Sequence, residues 1–143
     1  MQGVSLKLRR GEILGLAGLM GSGRTELVNA VFGVVRPTSG TISINGKRIK
    51  NNSPADAILN RIALIPEDRR SQGLVLDHPV TENLTLPLID QLTVAGLLSS
   101  KKVLKKSQEI INQFEIKLAH PGITVGSLSG GNQQRVVIGK WLA

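Results

Sequence analysis

The 143-residue sequence has no cysteine and no tyrosine, and its aromatic residues are confined to Phe32, Phe114 and Trp141. Without cysteine there is no disulfide scaffold, thiolate metal site or cysteine nucleophile, and a reducing compartment is compatible. So few rings argue against a reader of single-stranded nucleic acid, which needs aromatic platforms for its bases. The two histidines, His78 and His120, are too few to form a metal cluster by themselves. No run approaches the roughly 18 apolar residues that span a bilayer, and the N-terminus lacks a charged-then-apolar leader with a cleavage site, so a soluble, cytoplasmic chain is expected.

Acidic residues are scarce too. Ten Asp and Glu against 18 Lys and Arg leave a net charge of +8, which directs attention to anionic partners without choosing among phosphate, nucleic acid and lipid. Hydrophobic residues at 41% and charged residues at 20% are ordinary for a globular chain, and the length suits one domain.

Val4, Leu6 and Leu8 alternate with polar residues as in a half-buried strand, and Glu12 to Ala17 reads as a buried one. After a glycine-dense stretch, Leu27, Val28, Ala30 and Val31 fall on one helical stripe that Gly33 is placed to cap. Thr41 to Ile44 and Lys47 to Ile49 flank Asn45-Gly46, a strong hairpin signal. Ser53 followed by Pro54 starts a short helix through Asn60, and Ile62 to Ile65 reads as a short buried strand. From about Val80 the pattern turns helical: Thr81 is expected to cap a short helix, and residues 92–98 suit either helix or strand. Ser100 precedes a basic amphipathic helix with Leu104, Ile111 and Phe114 inward, and Gly130-Gly131 precede a helix with Val136, Val137 and Trp141 on its apolar face.

Gly18-Leu19-Met20-Gly21-Ser22-Gly23-Arg24-Thr25 fits the phosphate-loop pattern G-x-x-x-x-G-K-[ST] at every fixed position except Arg24. Gly21 and Gly23 bare successive N–H groups for an anion, the following helix start adds partial positive charge, and Thr25 offers a hydroxyl to Mg²⁺. Leu19 and Met20 are expected to anchor the loop. Arg24 is a wide, forked cation where the pattern has a compact one, so nucleotide positioning suffers more than binding. The plainer alternative is a Gly-rich turn that packs a helix onto a strand. Far downstream, Leu128-Ser129-Gly130-Gly131-Asn132-Gln133-Gln134 combines a serine hydroxyl with bare glycine N–H groups at a helix start, a second anion site or an ordinary serine cap.

A phosphate loop followed at this distance by LSGGNQQ resembles the nucleotide-binding domain of ATP-binding cassette (ABC) transporters. GLMGSGRTEL, IPEDRRSQGL (residues 65–74), VTENLTL (80–86) and LSGGNQQRVVIGKWLA (128–143) make it most similar to the second cassette of the fused two-cassette ATPases of bacterial monosaccharide importers, the ribose, galactose and xylose type. The resemblance implies an α/β P-loop NTPase cassette, a mixed sheet core with an antiparallel β piece and an inserted helical subdomain. It divides the chain into a nucleotide-binding core over 1–79, a helical subdomain over 80–127, and the signature motif with its helix over 128–143.

By the same resemblance, residues Gly18 to Thr25 with Glu26 hold ATP, and Glu67 with Asp68 forms a coupling loop toward membrane subunits. Thr25 and Glu67 serve Mg²⁺; Glu67 is a carboxylate where the wider family has glutamine. Leu128 to Gln134 then face the nucleotide of the first cassette. The strand ending in a catalytic acidic pair and the switch histidine of such cassettes find no match, and neither does the adenine-stacking aromatic. The fragment is therefore expected to stop before its catalytic strand, to carry no catalytic residue, and to associate or lose order when isolated. Glu82, Glu109 and Glu115 read as solvated helix residues, and His78 and His120 as loop or surface residues.

The implied setting is the cytoplasmic face of the membrane. Its partners there are the first cassette, integral permease subunits and, indirectly, a sugar-binding protein, with no nucleic acid. The lysines at 101, 102, 105 and 106 keep open a nucleic-acid-associated ABC ATPase, and a purely regulatory nucleotide-binding module is the third reading.

Overall fold

The computed structural model describes residues 3–142; Met1, Gln2 and Ala143, the outermost residues of the expected segments 1–79 and 128–143, lie outside the described residues. Two compact units divide the chain, Met1–Leu64 and Ile65–Ala143.

In the first unit, helix α1 spans Arg24–Phe32 and ends at Gly33 in the left-handed region (φ 80°). The Gly33 N–H bonds to Ala30 and the Val34 N–H to Asn29, closing the last turn as a glycine cap does. Only glycine fits, because a Cβ there would stand 2.6 Å from the Ser53 carbonyl oxygen. Strands β1 (Ile42–Ile44) and β2 (Lys47–Ile49) pair antiparallel with Ile44 opposite Lys47. Asn45 (φ 51°) and Gly46 (φ 76°) make the two-residue turn. Helix α2 (Pro54–Leu59) begins as expected, with Ser53 Oγ accepting the Asp56 N–H at 3.2 Å. The buried Asn51 donates its side-chain amide to the Val31 carbonyl, tying the segment after the hairpin to α1.

Residues 4–8 and 12–17, expected as strands, form no ladder and are exposed, Ile13 to 97%. Residues 62–65 likewise form no strand, with Ile62 and Leu64 half-buried between exposed neighbours. A strand with two apolar faces is held by neighbours on both sides, and the described residues supply these segments with no partner strand. The mixed sheet core is accordingly not formed among the described residues, which hold two two-stranded antiparallel sheets.

The second unit is helical. α3 (Val80–Thr85), the one-turn α4 (Ile89–Leu92), the hairpin β3–β4 (Thr93–Val94 with Leu97–Leu98), α5 (Ser100–Gln113) and α6 (Gly130–Leu142) follow in order. Val80, Leu84, Ile110, Ile111, Val125, Val136 and Val137 form the core, with Phe114, Leu128 and Trp141 packed partly against it. Burying each such aliphatic side chain is worth roughly 1.5–3 kcal/mol, so this cluster dominates the unit's stability.

Three local expectations change. Thr81 does not cap α3; it lies buried inside it, Pro79 is the capping residue, and the Val80 and Thr81 N–H groups bond to the carbonyls of Ile123 and Pro121. α5 is capped by Ser99, whose Oγ accepts the Lys102 N–H, and its buried face is Ser107, Ile110 and Ile111. Leu104 is 58% exposed because it lies at the edge of that stripe near the helix start, beyond the packing partners of the later turns. In α6 the two glycines occupy the first helical turn rather than preceding it.

Candidate functional site: two glycine-rich helix starts

The first candidate lies in the first unit. The Ser22 N–H bonds to the Leu19 carbonyl at 3.1 Å, turning the chain into Gly23, which caps α1 in the left-handed region (φ 89°) without any side-chain hydrogen bond. An α-helix leaves its first N–H groups unused by its own ladder, so those from Arg24 to Glu26 face outward from a start that carries partial positive charge. Gly21 also has positive φ (79°), which permits the tight curl, and a Cβ on Gly18 would collide with the Ser22 hydroxyl.

The loop is open: Leu19 is 86% and Met20 100% exposed, so neither anchors it. Arg24 and Thr25 are exposed, and neither side chain makes a hydrogen bond or ion pair with another described residue, leaving both polar groups available to a ligand. Glu26, exposed in the first turn, complements the helix dipole. The arrangement accepts an anion with several oxygen atoms. For a hard cation such as Mg²⁺ the fit is that of a single hydroxyl beside bound phosphate: no group of three His, Asp or Glu gathers among the described residues, and Mg²⁺ commonly takes one or two protein oxygens with phosphate and water.

The remaining candidates lie in the second unit. Asp68 caps the single wide turn Arg69–Gly73, accepting the N–H groups of Arg70 (3.0 Å) and Ser71 (3.3 Å) and the Ser71 hydroxyl (2.7 Å). Those bonds, the Ser71 hydroxyl foremost, hold its carboxyl below the usual carboxylate range. Asp68 is thus engaged in shaping its own turn, while Glu67 beside it is exposed.

The second helix start is α6. Ser129 stands at its entry: its carbonyl accepts the Gln133 N–H at 2.9 Å and its hydroxyl accepts the Asn132 amide at 3.1 Å. Asn132 in turn accepts the Lys117 N–H at 2.9 Å, so this residue braces the motif against the segment after α5. Gln133 is turned inward, 4% exposed, donating to the Val125 carbonyl. Leu128 and Gln134 are half-buried, which leaves Ser129, Gly130 and Gly131 as the surface of the motif.

Sequence reasoning passed over Arg69, Asn83 and Lys140. Asn83 is 2% exposed and binds the Val75 backbone, and Lys140 is 9% exposed with its ammonium on the Gly73 carbonyl. Burial lowers the Lys140 pKa. The local signal for Asn83 was a polar residue on the inner face of an apolar helix turn, and for Lys140 a cation among the apolar residues of the last helix. His78 and Glu82 form an exposed pair at 2.8 Å, consistent with surface positions.

Two glycine-rich helix starts, one of phosphate-loop pattern and one opened by Ser-Gly-Gly, define the class as a nucleotide-binding cassette. Family comparison agrees: the family model described as ABC transporter matches residues 1–143, and the chain belongs to that family. It is 48% identical over 141 residues to the ribose import ATP-binding protein RbsA of Bacillus cereus, covering 99% of this chain and 28% of that protein. It is also 48% identical over 142 residues to the protein of the same name from Geobacillus kaustophilus (99% and 29%), and 45% identical over 141 residues to that of Roseobacter denitrificans (99% and 28%). The chain therefore spans less than a third of the length of these curated relatives. These relatives are named for ribose import, and the matches do not support placing this chain as the second, C-terminal cassette. No helix among the described residues is long and apolar enough to cross a membrane.

Proposed function

We propose that this chain is nucleotide-binding cassette sequence from an ATP-driven monosaccharide importer, in which ATP binding and hydrolysis drive uptake through membrane subunits. The observation that carries the reading is the start of α1 after Gly23, where no side chain occupies the first N–H groups, with exposed Arg24 and Thr25, in a chain of the ABC transporter family. In this reading Gly18 to Glu26 hold the phosphates of ATP. Thr25, and Glu67 where the assembly brings it near, hold Mg²⁺, which supplies neutralisation of phosphate charge when bound. Arg24 makes forked contacts where a lysine would sit between the outer phosphates, so this site binds nucleotide while turning it over poorly.

Ser129, Gly130 and Gly131 serve the nucleotide held by a partner cassette, donating a hydroxyl and bare N–H groups from the start of α6. Glu67 and the turn capped by Asp68 face the membrane subunits. The organisation into a core over 1–79, a helical subdomain over 80–127 and a signature segment from 128 belongs to the same proposal, as does a position at the cytoplasmic face of the membrane with a sugar-binding protein as indirect partner. Placing nucleotide turnover mainly in the partner cassette rests on Arg24.

Equilibrium ATP binding to the full-length protein, with and without Mg²⁺, tests the loop assignment. Wild-type affinity is expected to rise with Mg²⁺, and Thr25→Ala to lose at least tenfold in its presence while matching wild type in chelator. Equal affinities under both conditions contradict the assignment.

A further inference from the structure

The turn Arg69–Gly73 meets α6 at both of its ends, bonded to it at one and lying close against it at the other. At the far end, the Lys140 ammonium donates to the Gly73 carbonyl, and a Cβ on Gly73 would stand 3.1 Å from a methyl of Val137. Gly73 therefore lies flat on the helix. At the near end, the guanidinium of Arg69 lies over Gly130: a Cβ on Gly130 would be 2.8 Å from its Nη2. The turn's own shape is set by Asp68, so Arg69 reaches the helix start from a preformed support.

This location is unfavourable for a cation. The start of a helix carries partial positive charge, which repels a guanidinium by a few tenths to about 1 kcal/mol. In addition, the Nε of Arg69 is buried and has no hydrogen-bond partner among the described residues. Each buried donor left unpaired costs roughly 1–3 kcal/mol, so the placement is not explained as a stabilising contact. Loop 66–73 and the Ser129-Gly130-Gly131 surface are also the two elements of this unit to which the proposed function gives separate tasks, one toward membrane subunits and one toward nucleotide.

We infer that Arg69 is a positioning residue that couples loop 66–73 to the α6 start, so that displacement of the loop by a membrane subunit moves Ser129 and Gly130 relative to the nucleotide they serve. Gly73 and Lys140 are the pivot of this brace and Arg69 its moving end. The planar, forked guanidinium covers Gly130 as no ammonium can, so lysine does not substitute for it. The inference rests on the reading of the protein as an importer ATPase.

The test is ATP turnover by the intact ATPase, alone and assembled with its membrane subunits in proteoliposomes, for wild type, Arg69→Met and Arg69→Lys. Thermal unfolding of each variant serves as the control for folding. Both variants are expected to melt within a few degrees of wild type and to keep the unstimulated rate within twofold, while stimulation by the membrane subunits and transported substrate falls at least fivefold. Wild-type-like stimulation in Arg69→Met overturns the inference alone. So does an equal loss of stimulated and unstimulated rates, which assigns Arg69 to folding or to chemistry. A wild-type protein whose turnover does not respond to any membrane subunits overturns the functional reading first, and the inference with it.

Discussion

Asn83 closes two hydrogen bonds on the backbone of Val75, accepting its N–H and donating to its carbonyl, both at 2.9 Å. The same amide nitrogen reaches the carbonyls of His78 (3.4 Å) and Pro79 (3.2 Å), so one side chain from α3 holds the segment before it, whose backbone also accepts the N–H groups of Val125 and Gly126. Asn83→Ala removes the partner of the Val75 N–H, while the carbonyls of Val75, His78 and Pro79 keep the N–H groups of His78, Val125 and Asn83. Unfolding by denaturant is expected to show a loss of about 1–3 kcal/mol. A loss under 0.5 kcal/mol contradicts this account of the segment 75–79.

Gly33 binds the end of α1 to the start of α2. With φ of 80° and the Ser53 carbonyl 2.6 Å from any added Cβ, alanine there meets both backbone strain and overlap. Gly33→Ala is expected to destabilise by about 3 kcal/mol in denaturant unfolding, whereas Gly46→Ala, with open space around it, is expected to cost less than half of that.

Lys140 carries a pH signature. Burial lowers its pKa from the ordinary 10.5, so the unfolded chain binds its proton more tightly than the folded one. The cost of burying the charge is present in full below the folded pKa. It is relieved as pH rises from that value toward 10.5. Wild type is therefore expected to gain stability relative to Lys140→Met across that alkaline window. The variant itself is expected to melt close to wild type at neutral pH, because removing the buried charge offsets the lost bond to Gly73. Parallel pH profiles for the two proteins contradict the burial of this ammonium.

Asp68 has the opposite sign. Its folded pKa lies below the ordinary 3.8, so its contribution to the turn is complete above that value and is lost only as pH falls through the folded pKa. Amide exchange at Arg70 and Ser71 is expected to be slower in wild type than in Asp68→Ala at neutral pH and to converge with it in strong acid. Convergence already at pH 6 contradicts the cap.

Elements written by neighbouring residues were legible. The Asn45-Gly46 turn, the Ser53-Pro54 start and the Gly33 stop each depend on φ values or hydrogen bonds within a few positions, and each stands where its residues place it. The glycine-rich helix starts are legible for the same reason. What depended on distant partners was not. Residues 4–8 and 12–17 have strand patterns but no partner strand among the described residues, so their apolar side chains remain exposed. Thr81 has the chemistry of a cap, yet the backbone of residues 121–123 satisfies the helix start in its place. Arg69 meets Gly130 and Lys140 meets Gly73 between a turn and a helix far apart in sequence, and no local pattern announces either meeting.

The central claim is that this chain's Ser-Gly-Gly helix start matters more to turnover than its own phosphate loop, because the two serve different nucleotides. ATP hydrolysis by the full-length protein carrying Ser129→Arg or Arg24→Ala measures it directly. The account predicts at least a tenfold loss for Ser129→Arg and less than a threefold loss for Arg24→Ala, with both proteins folded. The reverse ranking would contradict it.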